Sequence, residues 1–473
     1  MRTHLSCFID GVWSDPADGS PIDVIDPATE AAFGRVTLAG AGEVDRAVAA
    51  ARAAFPAWSA TSKEERLDLL DRIIAAYEPR LEELATTITQ EMGAPARLSR
   101  MAQATAGLAH LRITRDALAA LELSETRGTS RLIRQPVGVC GLITPWNWST
   151  NQVMCKVAPA LAAGCTMVLK PSEFTPFSAF IQAEILETAG VPTGVFNLVL
   201  GDGPGVGAAI SAHPGLDMVS FTGSTAAGVA VARAAAGTVK RVSQELGGKS
   251  ANIVLPDADL ADAVKRGVRA CMTNSGQSCN APTRMLVPRD RHDEACELAA
   301  AAAAKLTVGD PTDDATTTGP VANGRQWERV QALLQAGIDE GAVLVCGGPG
   351  RPDGLDQGWF VRPTVFGDVS NDMRIAREEI FGPVLSILPY DTVEEAVAIA
   401  NDTDYGLAGY VQGPVEQAEA VAARLRVGQV TVNGAPPDFA VPFGGFKQSG
   451  NGREWGPEGL DEYLEVTAVL GVA

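Results

Sequence analysis

One cysteine of this chain stands in company unlike that of the others. Cys279 lies in Asn274-Ser-Gly-Gln-Ser-Cys-Asn-Ala-Pro-Thr283, where amides and hydroxyls surround the thiol. Such surroundings can stabilise a thiolate, the form in which cysteine is a nucleophile. Most other cysteines sit in apolar runs, such as Val139-Cys140-Gly141, Gly164-Cys165-Thr166 and Val345-Cys346-Gly347, and read as core residues. A partly buried structural thiol is the plainer alternative for Cys279. Glu245 stands in Gln244-Glu-Leu-Gly-Gly-Lys249, where two glycines allow the backbone to approach a reacting centre closely. On an exposed turn the same carboxylate would do nothing. Asn147, in Thr144-Pro-Trp-Asn-Trp148, is an amide set between Trp146 and Trp148. If buried it needs a partner, either the backbone or a developing oxyanion.

Other segments could hold an anion or a sugar. Phe221-Thr-Gly-Ser-Thr-Ala-Ala-Gly228 ends an apolar strand at Gly223 and starts a helix at Ser224 and Thr225. Free amides at that N-terminus would attract a diphosphate; an ordinary helix cap would look the same. Gly201-Asp-Gly-Pro-Gly-Val-Gly207 is glycine-rich, but neither Gly201 nor Gly203 begins G-x-G-x-x-G, so it reads as a tight helix entry. Lys170-Pro-Ser-Glu173 follows a predicted strand at the end where ligands bind in open α/β sheets. Lys170 could hold ribose or phosphate oxygens. Glu173 could accept from two ribose hydroxyls and would repel a 2′-phosphate. Phe381, in Glu378-Glu-Ile-Phe-Gly-Pro383, could stack on a flat ring while the acid binds a sugar, or simply pack in the core.

The elements that position these residues follow from hydrophobic period. Thr61 and Ser62, each followed three residues later by Glu64 and Glu65, predict a helix start before the amphipathic run Leu67 to Ile88. Arg97 to Leu121 is a second helical stretch, and Arg127-Gly128 suggests a hairpin. Strands are predicted at Val139–Thr144, Thr166–Leu169, Val195–Leu200, Met218–Phe221 and Lys240–Val242. Helices alternate with them near Met154–Ala162, Phe177–Ala189, Val206–Ala212 and Ala226–Ala235. That alternation implies a parallel, doubly wound sheet covered on both faces. A second α/β stretch runs from about Ser250 to Gly428, with a loop at Gly347–Gly358.

Composition narrows the function. The 473 residues are 46% hydrophobic and 20% charged, which excludes a disordered chain and a disulfide scaffold and points to two or three domains. With 38 Lys+Arg against 57 Asp+Glu the net charge is −19, a poor footprint for nucleic acid or an anionic membrane. No apolar run is long enough to span a bilayer, and Met1 to Trp13 does not read as a secretory signal. Eight cysteines without CxxC spacing and four histidines argue against zinc or any other metal and for reduced thiols in the cytoplasm.

Taken together, the segments around Asn147, Lys170, Gly223, Glu245, Cys279, Glu379 and Asn433 through Gly445 resemble the NAD(P)-dependent aldehyde dehydrogenase superfamily, in its order and at its spacings. Phe8-Ile-Asp-Gly11 and Asp26-Pro-Ala-Thr-Glu30 are similar to that family's opening strands. The resemblance implies a Rossmann-like cofactor domain (1–120 and 137–247), a catalytic α/β domain (248–448) and a small β element for oligomerisation (121–136 and 449–473). It implies Cys279 as nucleophile, Asn147 as oxyanion donor and Glu245 as the base that hydrolyses a thioester. It implies NAD, or less favourably NADP, held by Thr144, Trp146, Lys170, Ser172, Glu173, Gly203, Gly223, Ser224, Leu246, Glu379 and Phe381. The aldehyde tunnel would be lined by Trp148, Gln152, Cys155, Ser278, Asn280, Asp438, Phe439 and Phe443, a mixture suited to a medium-sized aldehyde with an aromatic or polar end. Edge strands in the β element imply a homodimer or homotetramer.

The sequence departs from the family's commonest pattern at Trp148-Ser149-Thr150, where many members carry an aromatic followed by Pro, and at the polar Asn280. Three other readings stand beside the hydrolytic one. A CoA-acylating relative would lack the water-activating Glu245; a cysteine-nucleophile esterase would leave the cofactor segments idle; a non-catalytic protein would not need the reactive positions.

Overall fold

The computed structural model describes residues 2–472, so Met1 and Ala473 lie outside it. Two large sheets dominate. The first has eight strands in the order Gly450–Asn451, Arg241–Glu245, Met218–Thr222, Val139–Ile143, Thr166–Lys170, Phe196–Leu198, Cys7–Ile9, Val12–Ser14. Its five central strands are parallel, and antiparallel strands flank them on both sides. The chain builds outward from Val139–Ile143 in one direction, then crosses to build in the other. The topological switch point therefore falls between Val139–Ile143 and Met218–Thr222, where such sheets form their ligand crevice.

Both faces of this sheet are covered, which is why its strands are apolar throughout rather than alternating. Val139–Ile143 and Met218–Thr222 are buried at every position. One face packs on Lys63–Tyr77, Ala104–Ala120, Ser149–Ala163 and Pro176–Thr188, the other on Ala41–Ser59 and Ala208–Ala212. The helix Ser149–Ala163 is buried at every residue, so even its polar side chains must find partners inside the protein or in a ligand.

The second sheet has seven strands, ordered Val343–Cys346, Thr364–Gly367, Val384–Tyr390, Arg284–Pro288, Ala251–Val254, Ala408–Gln412, Gln429–Val432, all parallel except the first. It too has an apolar core on each face. Only five residues, Leu246 to Ser250, separate the end of Arg241–Glu245 from the start of Ala251–Val254. The carboxyl ends of the first sheet's strands consequently face the amino ends of the second's.

Several local features differ from the sequence-based expectation. The run Leu67–Ile88 is two helices, Lys63–Tyr77 and Leu81–Met92, because Pro79 lacks the N–H to continue the ladder and leaves a 3₁₀ turn at Glu78–Arg80. Ser62 with Glu65 forms the capping box, whereas the Thr61 hydroxyl donates back to Trp58 O. The first third is not mainly helical at its start. Arg2–His4, Ser20–Asp26 and Ala31–Leu38 make a three-stranded sheet of their own. The hairpin Ser124–Arg127 and Ser130–Pro136 pairs with Leu464–Leu470. Residues 449–461, expected with that β element, instead join the first sheet through Gly450–Asn451 and pack Gly456–Asp461 on the buried helices. No helix among the described residues is long and apolar enough to cross a membrane, and no group of three or more His, Cys, Asp or Glu is arranged to hold a metal.

One long-range contact locks the helix Pro176–Thr188, which has no cap of its own. Glu91, fully buried, accepts from the amides of Phe177 at 2.8 Å and Ser178 at 3.2 Å. Burial dominates its titration and pushes the carboxyl up from 4.5 to about 7. The folded chain thus keeps this proton over a range where the unfolded chain has released it, and stability falls as pH rises between those two values, by up to about 3 kcal/mol. Thermal melts of Glu91→Gln should lose that part of the pH dependence, so the difference in Tm between pH 5 and 7.5 should be smaller than in the parent; an unchanged difference would show that Glu91 does not carry it.

Candidate active site

The Cys279 loop is shaped by three consecutive left-handed residues, Asn274, Ser275 and Gly276, at φ 57°, 56° and 73°. Gly276 cannot be replaced without moving backbone, since a Cβ there would stand 2.0 Å from Gly382 O. A buried amide network then fixes the loop to the first sheet. Asn147 Nδ2 donates to Gln277 O at 3.0 Å, Asn274 Nδ2 donates to Asn147 O at 2.9 Å, and Gln103 Nε2 reaches both Asn147 O and Asn274 Oδ1 at 3.1 Å. Gln277 Oε1 accepts from Ala322 N at 2.8 Å. Sequence reading picked out Asn147 but missed Gln103, Asn274 and Gln277. Their signal was weak: polar residues in a helical stretch and a loop, whose partners lie far away along the chain.

Ser278 and Asn280 hold the thiol's two sides. Trp148 Nε1 donates to Ser278 Oγ at 2.8 Å, and Tyr410 OH donates to Asn280 O at 3.0 Å. The polar side chain of Asn280 is therefore less important than its backbone, which anchors the loop to the second sheet. Burial pushes the Cys279 thiol well above its ordinary range, and the carboxylates of Glu379, Glu245 and Glu454 push it the same way. The surroundings of Cys279 thus disfavour its charged form.

Glu245 ends the strand Arg241–Glu245 and is 3% exposed. Neither carboxyl oxygen has a hydrogen-bond partner among the described residues. Burial, then the charge of Glu454, raises its pKa, against the opposing pull of Lys156 and Arg453. Gly444 leaves it room: a Cβ there would lie 2.5 Å from Glu245 Oε1. Lys156 and Glu454 form a buried ion pair beside it, with Lys156 Nζ also donating to Ser220 Oγ at 3.0 Å. Cys155, expected to line a tunnel, is 2% exposed and its thiol donates to Glu454 Oε2 at 3.4 Å, inside this same cluster.

Most of the residues expected to hold a dinucleotide lie at or just after the carboxyl ends of the first sheet's parallel strands. Thr144 N donates to Lys170 O at 3.1 Å, tying together two strand ends. Lys170 is buried, donates to Gly201 O at 2.7 Å and Pro171 O at 2.9 Å, and meets Glu173 Oε2 at 3.4 Å; burial lowers its pKa. Ser172 Oγ accepts from Phe174 N at 3.2 Å and so shapes the turn. Ser224 caps Thr225–Ala235, and Gly223 N donates to Glu245 O at 3.0 Å. Gly203 has open space where a side chain would stand, and Leu246 packs under Gly228. From the second sheet, Glu379 Oε1 accepts from Gly248 N at 2.9 Å, and burial raises this carboxyl to about 7. Gly247 must be glycine here, since a Cβ would approach Glu379 Oε2 to 2.5 Å. Phe381, at φ 61°, meets Trp146 edge-on at 5.5 Å.

Of the remaining tunnel candidates, Phe439 and Phe443 both meet Trp455, with ring centroids at 4.9 and 4.4 Å. His110 joins them at 4.8 Å from Phe439. Neither Trp455 nor His110 was picked out from sequence. Asp438 is exposed and accepts from Ala440 N at 2.9 Å, so its carboxylate serves its own turn.

Known proteins resemble this arrangement along its whole length. The model of the aldehyde dehydrogenase family matches residues 13–469. A 3-succinoylsemialdehyde-pyridine dehydrogenase from a Pseudomonas species is 57% identical over 473 residues, covering 100% of this chain and 99% of the relative. Among solved structures, an aldehyde dehydrogenase C variant from Pseudomonas syringae, in complex with NAD+ and octanal, superposes with a TM-score of 0.98 at 55% identity, over 99% of this chain and 97% of the other. A Mycobacterium tuberculosis aldehyde dehydrogenase in complex with NAD+ gives 0.96 at 42% identity, over 99% and 98%. The chain that carries the Cys279 loop and the unpartnered Glu245 carboxylate thus belongs to the aldehyde dehydrogenase family.

Proposed function

We propose that this protein oxidises an aldehyde to its carboxylic acid with NAD, through a thioester on Cys279 that Glu245 helps water to hydrolyse. The observation that carries this reading is the buried Glu245, whose two oxygens have no hydrogen-bond partner among the described residues. The Cys279 thiol passes its proton to solvent water as its sulfur attacks the aldehyde carbon, which leaves Glu245 ionised for the second step. The resulting oxyanion is held by the Cys279 backbone N–H and by Asn147 Nδ2, which turns from Gln277 O. Each such donor is worth roughly 3 kcal/mol of transition-state stabilisation. NAD+, when bound, supplies the acceptor for the hydride that leaves this carbon, so that a thioester remains on Cys279. Glu245 then takes a proton from water as the water oxygen attacks the thioester, and the acid leaves as the thiol is restored.

The crevice residues suit a dinucleotide. Ser224 and the free amides of Thr225–Ala235 would take the diphosphate, with Gly203 leaving space nearby. Lys170, Ser172 and Glu173 would take the adenine ribose, Thr144, Trp146 and Leu246 would line the passage, and Glu379 would take the nicotinamide ribose with Phe381 beside it. The Glu173 carboxylate favours NAD over NADP by repelling a 2′-phosphate. Glu245 speaks against coenzyme A as acyl acceptor, and an esterase without redox chemistry would have no use for Lys170, Glu173 and Glu379. We place the division of labour at Glu245–Ser250: first sheet for cofactor, second for the nucleophile, with the hairpin and Leu464–Leu470 as an assembly element. Val466 and Leu470, 57% and 78% exposed on that element, and the edge strand Gln429–Val432 favour a homodimer or homotetramer. Eight unpaired cysteines fit the reducing cytoplasm. The substrate class is a medium-sized aldehyde with an aromatic or polar end, in keeping with the name of the 57% identical relative.

NADH absorbance on a panel of aldehydes, with and without coenzyme A, tests the activity directly: turnover should need NAD and no coenzyme A, and strict dependence on coenzyme A would overturn the assignment. Glu245→Gln should give a burst of NADH of about one equivalent and then lose at least ~100-fold in steady turnover; steady turnover equal to the parent's would remove Glu245 as the base. Because Glu379 pushes the thiol up, Glu379→Gln should speed alkylation of Cys279 by iodoacetamide at pH 8 in the cofactor-free protein, and a slower reaction would contradict that electrostatic account. Light scattering should give a multiple of 49.2 kDa; a monomer would exclude the assembly.

A further inference from the structure

Gln277 O, two residues before the nucleophile, is held twice over. Asn147 Nδ2 donates to it at 3.0 Å and Asn274 Nδ2 at 3.3 Å. In the proposed oxidation Asn147 Nδ2 leaves this carbonyl for the oxyanion. Gln277 is fully buried and its side chain is already engaged, with Nε2 donating to Asn274 O at 3.1 Å and Oε1 accepting from Ala322 N at 2.8 Å. A buried carbonyl stripped of its donor bears the full desolvation penalty of that group, so the departure of Asn147 is opposed unless another donor stays behind.

Asn274 can be that donor only if its amide faces the right way, and its neighbours fix that orientation. A carboxamide has two N–H groups and one oxygen. Asn274 Nδ2 directs its two at Gln277 O and, at 2.9 Å, at Asn147 O, while Asn274 Oδ1 accepts from Gln103 Nε2 at 3.1 Å. Gln103 Nε2 gives its other N–H to Asn147 O, also at 3.1 Å. Turning the Asn274 amide over would set N–H against N–H at Gln103, and oxygen against oxygen at Asn147 O and Gln277 O. Gln103 is itself built into place. It ends a π turn, Ser99–Gln103, in which Ala104 N donates to Ser99 O, a departure from the α-helix that is frequent at functional sites. Thr150 Oγ1 donates to its carbonyl. The Gln103 Oε1 is buried without a hydrogen-bond partner among the described residues. A methionine of similar size would fill the same space without that orphaned acceptor, so the two N–H groups are what this position retains.

Resting on the proposed aldehyde oxidation, we infer that Asn274 and Gln103 are positioning residues for the oxyanion donor. Asn274 keeps Gln277 O satisfied while Asn147 Nδ2 serves the oxyanion, and Gln103 locks the Asn274 amide in the orientation that this exchange requires. Both act through Asn147 and not on the substrate. Without them Asn147 must choose between Gln277 O and the oxyanion, and the transition state loses part of a donor that is still present. With Asn147 removed, Gln277 O has the same partners before and during the reaction, and nothing is left for Asn274 or Gln103 to contribute to the rate. A merely structural clamp on the loop would instead slow the chemistry whether or not Asn147 were there.

The test is a double-mutant cycle on the single-turnover rate of NADH formation, with enzyme in excess over the aldehyde that the parent oxidises fastest. Gln103→Met keeps the bulk and removes both N–H groups; Asn274→Gly keeps the left-handed turn at φ 57° and removes the amide. Each should slow NADH formation about tenfold in the parent and less than about twofold in an Asn147→Ala background. Alkylation of Cys279 by iodoacetamide, which builds up no oxyanion, should stay within about twofold of the parent's in both single variants. Equal losses with and without Asn147, no loss in the parent, or alkylation slowed in step with NADH formation would overturn the positioning role while leaving aldehyde oxidation standing. A parent that binds NAD yet forms no NADH from any aldehyde would overturn both readings. Should one variant fail to fold, as judged by its melting curve, the cycle with the other decides.

Discussion

A carboxylate buried without a donor is costly to maintain, and the organisation of this protein follows from keeping one. Glu245 sits at the last position of a central strand, where the sheet fixes its backbone and Gly444 keeps bulk away from it. Beneath it the Lys156–Glu454 pair supplies a compensated charge rather than a direct hydrogen bond. The Glu245 carboxylate is thereby kept free of competing partners, near enough to Cys279 for its charge to raise the thiol's pKa. The two sheets meet end to end because only that arrangement brings a strand terminus of one against a strand entry of the other.

The fold was legible in the sequence wherever one element's pattern was complete in itself. Val139–Ile143, Thr166–Lys170 and Met218–Thr222 lie within a residue or so of their expected bounds, since a strand buried on both faces is an uninterrupted apolar run. Pro79 and the short strands before Leu38 were harder to read, because a three-residue strand carries too few positions to show a period. The segment after Ser449 misled for a different reason: its membership depends on Gly450–Asn451 pairing with a strand some two hundred residues earlier.

The site divides in the same way. Cys279, Glu245 and Asn147 stood out because their neighbours in sequence are unusual. Gln103, Asn274 and Gln277, which hold Asn147 and the loop, and Trp455, which closes the aromatic group, have ordinary neighbours; their roles exist only in three dimensions. Cys155 lies on the expected helix, where its thiol is engaged by Glu454, a partner far along the chain that its sequence neighbours do not announce.

The left-handed turn at Asn274–Gly276 has a consequence for how reactivity arises during synthesis. Its conformation is secured by amides from Gln103 and Asn147 in the first half of the chain and by the Gly382 backbone in the second. Before those distant segments have docked, Cys279 lacks the burial and the neighbouring carboxylates that raise its pKa. The suppressed ionisation of this thiol is therefore a property of the folded chain and not of its local sequence.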